Sequence, residues 1–357
     1  GEASIRQALQ LDANHAGSLL IMAEILERRE DRAGALRHAK RALENRPDHL
    51  QSLRMVTALA ASTGDLELAR ASADQLLALD PEQPGTLAFL GRIELNAFQD
   101  FEKGKAHLEK ALELNPNHVD ALLGMIPIYA QEQNLQQMEA TLSQVLQIQP
   151  GHLQANQMRA EFQLSRFGPT VGIREYESLL QRFPGEPSFR LRHAELLLQN
   201  GRMSEGLRTA RQLTGPRNSP AIQRNAHWLL AQVYGQIRML DEAEEHTRQA
   251  LQLSPGNRNM FLFLMQTMMQ NRKFSETQLA LENYLAGQPD DLQAVMLLNQ
   301  VFRAQGDFNR AVAVLDSAIA THPEADLLVL RRVETLMQSP RWRESVSNAR
   351  MLHERYP

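Results

Sequence analysis

The chain has no cysteine in its 357 residues. Disulfides, thiolate nucleophiles and cysteine-held zinc are therefore excluded. So long a chain without cysteine fits an oxidising bacterial periplasm somewhat better than a cytosol. Excess positive charge is lacking too. The 38 Lys and Arg stand against 42 Asp and Glu, a formal charge of -4 at pH 7, so the electrostatic footprint of a nucleic-acid binder is missing. No apolar run approaches the roughly 18 residues that cross a bilayer, and residues 1–10 carry no basic-then-apolar leader. Also absent are a glycine-rich phosphate loop, H-E-x-x-H, G-x-S-x-G and a calcium loop. With no nucleophile, base and oxyanion partner in one constellation, neither enzymatic activity nor a cofactor is expected.

What is present is a period. Pro47, Pro81, Pro116, Pro150, Pro184, Pro255, Pro289, Pro323 and Pro357 follow one another at gaps of 34, 35, 34, 34, 71, 34, 34 and 34 residues. A fixed period in the thirties marks one supersecondary unit repeated and stacked, because each unit is too small to bury its apolar face alone. Between Leu50 and Gln83, apolar Leu53, Val56 and Ala60 fall at helical spacing and Gly64-Asp65 interrupts. Leu68, Ala69, Ala73 and Leu76 then resume the spacing before Pro81. The unit is helix, turn, helix, stop, since proline past the second helix has no N–H with which to continue it.

Units begin at Ala16, Leu50, Pro84, Val119, Leu153, Pro187, Arg224, Arg258, Leu292 and Asp326, after a half unit, Ala3 to Leu11. Leu87, Leu90 and Gly91 in one unit, Leu230, Ala231, Tyr234, Ala243, Ala250 and Pro255 in another, and Leu298, Phe302, Gly306, Ala311, Ala318 and Pro323 in a third carry a pattern that resembles the tetratricopeptide repeat. The resemblance covers the whole chain. It implies an all-α superhelical solenoid of about ten repeats plus a leading half repeat, with first helices lining a concave groove. A solenoid needs polar caps, so the raw ends suggest a piece of a longer array.

The 71-residue gap exceeds two units by three residues and contains residues 214–220, where Ser219-Pro220 reads as an N-cap followed by proline at the first helical position. The expected division is an array of a half repeat and six repeats over 1–216 and one of four repeats over 217–357, continuous or hinged. Pro127 lies inside a first helix and is expected to bend it. Gly168-Pro169 falls where an ordinary turn belongs.

His15, His49, His118 and His152 recur where units begin. Adjacent repeats stand about 8–10 Å apart while zinc ligands sit about 2 Å from one ion, so these histidines are expected in loops and not around a metal. On the inner face of the last four units, equivalent positions carry Trp228 with Leu229, Leu262 with Phe263, Met296 with Leu297, and Leu330 with Arg331. Met265, Met268 and Met269 make one first helix apolar nearly all round, implying burial on two sides or an exposed adhesive face. Gln232, Gln266 and Gln300 form a column beside this stripe, with Asn225, Asn259 and Gln293 seven residues earlier. Carboxamides suit a peptide backbone or the hydroxyls of a glycan. The earlier face is mixed: Glu24, Arg54, Phe89, Arg92, Gln157, Glu161, Arg192 and Glu195. The Lys and Asn clamp by which the resembled family holds a chaperone's terminal carboxylate is not reproduced there.

The expectation is a non-enzymatic scaffold that binds a peptide or helix along the stripe. The alternative is the repeat portion of a larger bacterial envelope protein of exopolysaccharide assembly, presenting substrate or partners to a domain outside this chain.

Overall fold

A computed structural model describes residues 2–29 and 31–346; Pro357, expected to close the tenth unit, lies outside them. Among the described residues there are twenty bounded α-helices, a further helical stretch over 342–346, one π turn and no strand. The leading helix is α1 (Glu2–Leu11). Pairs follow: α2 (Ala16–Arg28) with α3 (Arg32–Asn45), α4 (Leu50–Thr63) with α5 (Leu66–Leu79), α6 (Pro84–Ile93) with α7 (Phe101–Leu114), and α8 (Val119–Gln131) with α9 (Leu135–Ile148). Next in sequence are α10 (Leu153–Phe167) and α11 (Pro169–Arg182). The later pairs are α12 (Pro187–Gln199) with α13 (Met203–Arg211), α14 (Pro220–Gln236) with α15 (Leu240–Leu253), α16 (Arg258–Gln270) with α17 (Phe274–Gly287), and α18 (Leu292–Ala304) with α19 (Phe308–Thr321). The last is α20 (Asp326–Met337). The chain divides within α10 into two compact units, Gly1–Phe162 and Gln163–Pro357. The loop at 214–220 falls inside the second.

Local chemistry sets these boundaries. Before eight of the repeating prolines the residue lies outside the helical region, with φ between -130° and -151° at Arg46, Asp80, Asn115, Gln149, Phe183, Ser254, Gln288 and His322. A following proline disfavours the helical conformation there. Five second helices start on polar caps: the side-chain oxygens of Asp31, Asp65, Asp100, Asn134 and Asp307 accept the backbone N–H three residues on, at 2.8–3.2 Å. Gly64 turns the chain between α4 and α5 at φ +83°, where L side chains rarely sit.

Eight of the nine second helices carry a small residue four places past the cap, while α9 has the half-buried Met138 there. Ala35, Ala69, Gly104, Gly172, Gly206, Ala243, Thr277 and Ala311 recur near the start of the second helix and are all buried. A methyl group added at Gly206 would stand 2.5 Å from Leu198 Cγ and 3.2 Å from the Ala194 carbonyl, so the two backbones approach too closely for anything larger. Leucines fill the space on either side. Leu53, Leu59 and Leu76 are buried outright, each contributing about 1.5–3 kcal/mol over exposure.

The irregular spacings have distinct structural solutions. The 35-residue unit keeps register by a π turn, Glu94–Phe98, at the end of α6; a π turn holds one residue more than an α turn, and α7 accordingly starts one residue late. The three extra residues of the long gap are absorbed differently. Helix α13 has only nine residues, while α14 has seventeen and begins at Pro220, four residues before Arg224. Ser219 caps it as expected, its Oγ accepting the Ile222 N–H at 3.4 Å, and α14 packs on α12 and α13. Helix α8 stays helical through Pro127.

Candidate functional site

In the second unit, the first helices α14, α16, α18 and α20 carry the residues singled out by the repeat register. Trp228 and Phe263 meet edge to face, ring centroids 5.1 Å apart at 78°, both half-buried. This geometry pairs the positive ring edge with the negative face. Gly235 makes room for it, because a Cβ there would lie 2.9 Å from Phe263 Cζ. Sequence reasoning did not single out Gly235; a glycine inside a helical pattern, one residue short of its end, was the available signal.

The remaining apolar positions divide. Leu262 and Leu297 are only 3% and 5% exposed and belong to the core between α16 and α18, which removes them from direct contact with a ligand. Met265 and Met268 join the same core, so the all-round apolar character of α16 reflects burial on two sides. Leu229 and Met296 are half-buried against neighbouring clusters, and Leu330 is 49% exposed. Arg331, at the end of the stripe, pairs with Glu334 at 2.8 Å.

Gln232 is exposed, Gln266 and Gln300 are half-buried, and none of the three side chains is hydrogen-bonded to a described residue. Donors and acceptors that protein groups leave unused are the chemistry an extended backbone requires. In the earlier register, Asn225 accepts from Arg224 Nε at 3.1 Å and Gln293 from Arg258 Nη2 at 3.3 Å, so both are partly engaged.

The histidines at unit starts have a definite task. Nδ1 of His15, His49, His118 and His152 accepts the backbone N–H three residues on, at 3.1–3.3 Å. They are helix N-caps, filling the role that Ser or Asp takes elsewhere. Among the described residues no three His, Cys, Asp or Glu side chains gather to hold a metal ion. One histidine pair does meet: His227 Nδ1 and His246 Nδ1 are 2.9 Å apart. Tyr234 stacks on His246 at 5.5 Å and its hydroxyl accepts from Arg211 Nε at 3.1 Å. Burial holds both imidazoles below their ordinary value, reinforced at His246 by its neighbour and by Arg211 and opposed at both by Glu245.

No helix of the described residues is long and apolar enough to cross a membrane. Three family models, each describing a tetratricopeptide repeat, match residues 3–84 and 268–326, residues 95–162, and residues 225–257. Similar solved structures include a tetratricopeptide repeat protein from Parabacteroides merdae, 17% identical over 71% of this chain and 98% of its own, with a TM-score of 0.51. The human IFIT1 dimer with m7Gppp-AAAA is 14% identical over 89% of this chain and 76% of its own, with a TM-score of 0.53. At these identities the likeness is one of fold. No curated protein is significantly similar in sequence.

Proposed function

The chain belongs to the tetratricopeptide repeat family, a fold that serves in general as a scaffold for protein interaction, and from that premise we propose that it holds a peptide or helical segment of another protein on the first-helix face of its second unit. The contact surface of this reading is Trp228, Phe263, Met296 and Leu330 for apolar side chains, with Gln232, Gln266 and Gln300 for the backbone. Leu229, Leu262 and Leu297 support it from beneath.

The observation that carries the reading is the unbonded carboxamide column, repeated at 34 residues beside a half-buried aromatic pair. Burying one such ring against a partner contributes on the order of 2 kcal/mol, and the carboxamides fix the orientation of the bound segment. A photo-crosslinking residue placed at position 232 or 266 in the source cell should trap a protein. Trp228→Ala with Phe263→Glu should abolish that adduct while the far-ultraviolet circular-dichroism spectrum at the assay temperature stays that of the folded helical chain, even though the melt is lowered. An adduct that persists with the fold intact would show that the partner docks elsewhere.

A further inference from the structure

Two departures from regular helix sit side by side in the first unit. At the end of α6 the π turn places Leu95 and Asn96. In α8, Pro127 has no N–H and leaves the Leu123 carbonyl without its i→i+4 donor. Between these segments and α10 opens a cavity of about 270 Å³, floored by Leu95, Leu123, Ile126 and Met158. An interior proline costs a helix about 3 kcal/mol, and π turns concentrate at functional sites. Their coincidence around one cavity points to a purpose beyond packing.

Size narrows the occupant. An apolar cavity of about 150 Å³ holds a benzene ring, whereas sites for drug-sized ligands and cofactors run from about 300 Å³ upward. The space fits one large apolar side chain. Charge narrows it further. Arg92 stands exposed at the rim and forms no ion pair or hydrogen bond with a described residue. Asn96 and Gln154 beside it are equally unbonded. Arg54, in the preceding repeat, is by contrast engaged: its Nη2 donates to the Gly85 carbonyl at 2.7 Å and its guanidinium lies over Phe89.

We infer that this cavity is a second docking site, separate from the face of the second unit, and that it takes a polypeptide segment in which a large apolar residue stands next to Asp or Glu. The apolar side chain fills the cavity, Arg92 pairs with the carboxylate, and the Leu123 carbonyl accepts a backbone N–H of the bound segment.

The test is selection of a phage-displayed random heptapeptide library on the full chain. Enriched peptides should share Leu, Met or Phe adjacent to Asp or Glu. Their binding should fall about tenfold or more on Arg92→Glu and on Gln154→Trp, which plugs the mouth from an exposed position. Asn96→Trp is an alternative plug if Gln154→Trp does not fold. A library without that consensus, or peptides whose binding survives both the charge reversal and a folded plug, would overturn the site. So would enriched peptides lost only on Phe263→Glu, which would assign them to the second unit.

Discussion

Removing Arg70 tests how the π turn is held. Arg70, on α5, donates from Nη1 to Glu94 Oε1, and its guanidinium carbon lies 3.6 Å from the centroid of Phe98. The Glu94 side chain is only 8% exposed and its Oε2 has no hydrogen-bond partner among the described residues. Arg70→Ala would therefore strand a buried carboxylate. Breaking a fully buried pair costs about 3–5 kcal/mol; Arg70 is 34% exposed, so water screens part of that and about 2–3 kcal/mol remains. Losing the contact with Phe98 adds about 0.5–1 kcal/mol, for a total of about 3 kcal/mol. Urea unfolding followed by circular dichroism measures the sum, and hydrogen exchange in α6 and α7 locates it, since repeat arrays open in parts. Glu94→Gln added to Arg70→Ala should recover more than half of the loss by removing the stranded charge. A loss under about 1 kcal/mol, or no recovery in the double variant, would refute the account.

Three further outcomes are expected. His49→Ala and His118→Ala should each cost about 1 kcal/mol in urea unfolding while His49→Asn costs a few tenths, because the N-cap acceptor is lost in the first two and kept in the third; equal effects would sink the capping role. Pro127→Ala should stabilise by about 1–3 kcal/mol, since it returns a donor to the Leu123 carbonyl, and an unchanged or lowered melting temperature would count against it. Burial holds His227 and His246 below the ordinary 6.5 when folded, so below that pH the unfolded chain binds more protons and stability falls as pH drops. Thermal melts should show a steeper acid loss for the wild type than for His227→Gln with His246→Gln; parallel curves would contradict it.

Much of this molecule is legible from residue order. The 34-residue proline period, the helix starts at Ala16, Leu50 and Leu292, and the cap and proline at Ser219-Pro220 all follow from interactions within a few residues: the missing N–H of proline, caps that meet the N–H three residues on, and i→i+4 apolar spacing. Even the 35-residue gap announced one extra residue. Where that residue went did not follow, because the π turn is stabilised from α5 by Arg70 as well as from within α6.

Burial within the stripe was likewise a tertiary decision. Leu262 and Phe263 are neighbours in sequence, yet one is core and the other lies against Trp228 at the surface. Periodicity specifies which side of a helix is apolar; how much of that side remains open depends on the size of side chains on the next helix, such as Gly235 beneath Phe263. The cavity between α6, α8 and α10 arose in the same way, from a π turn and a proline in different repeats that only stacking brings together. Local sequence therefore determined where the described helices begin and end, while contacts between helices distant in sequence decided which surfaces stay free to bind.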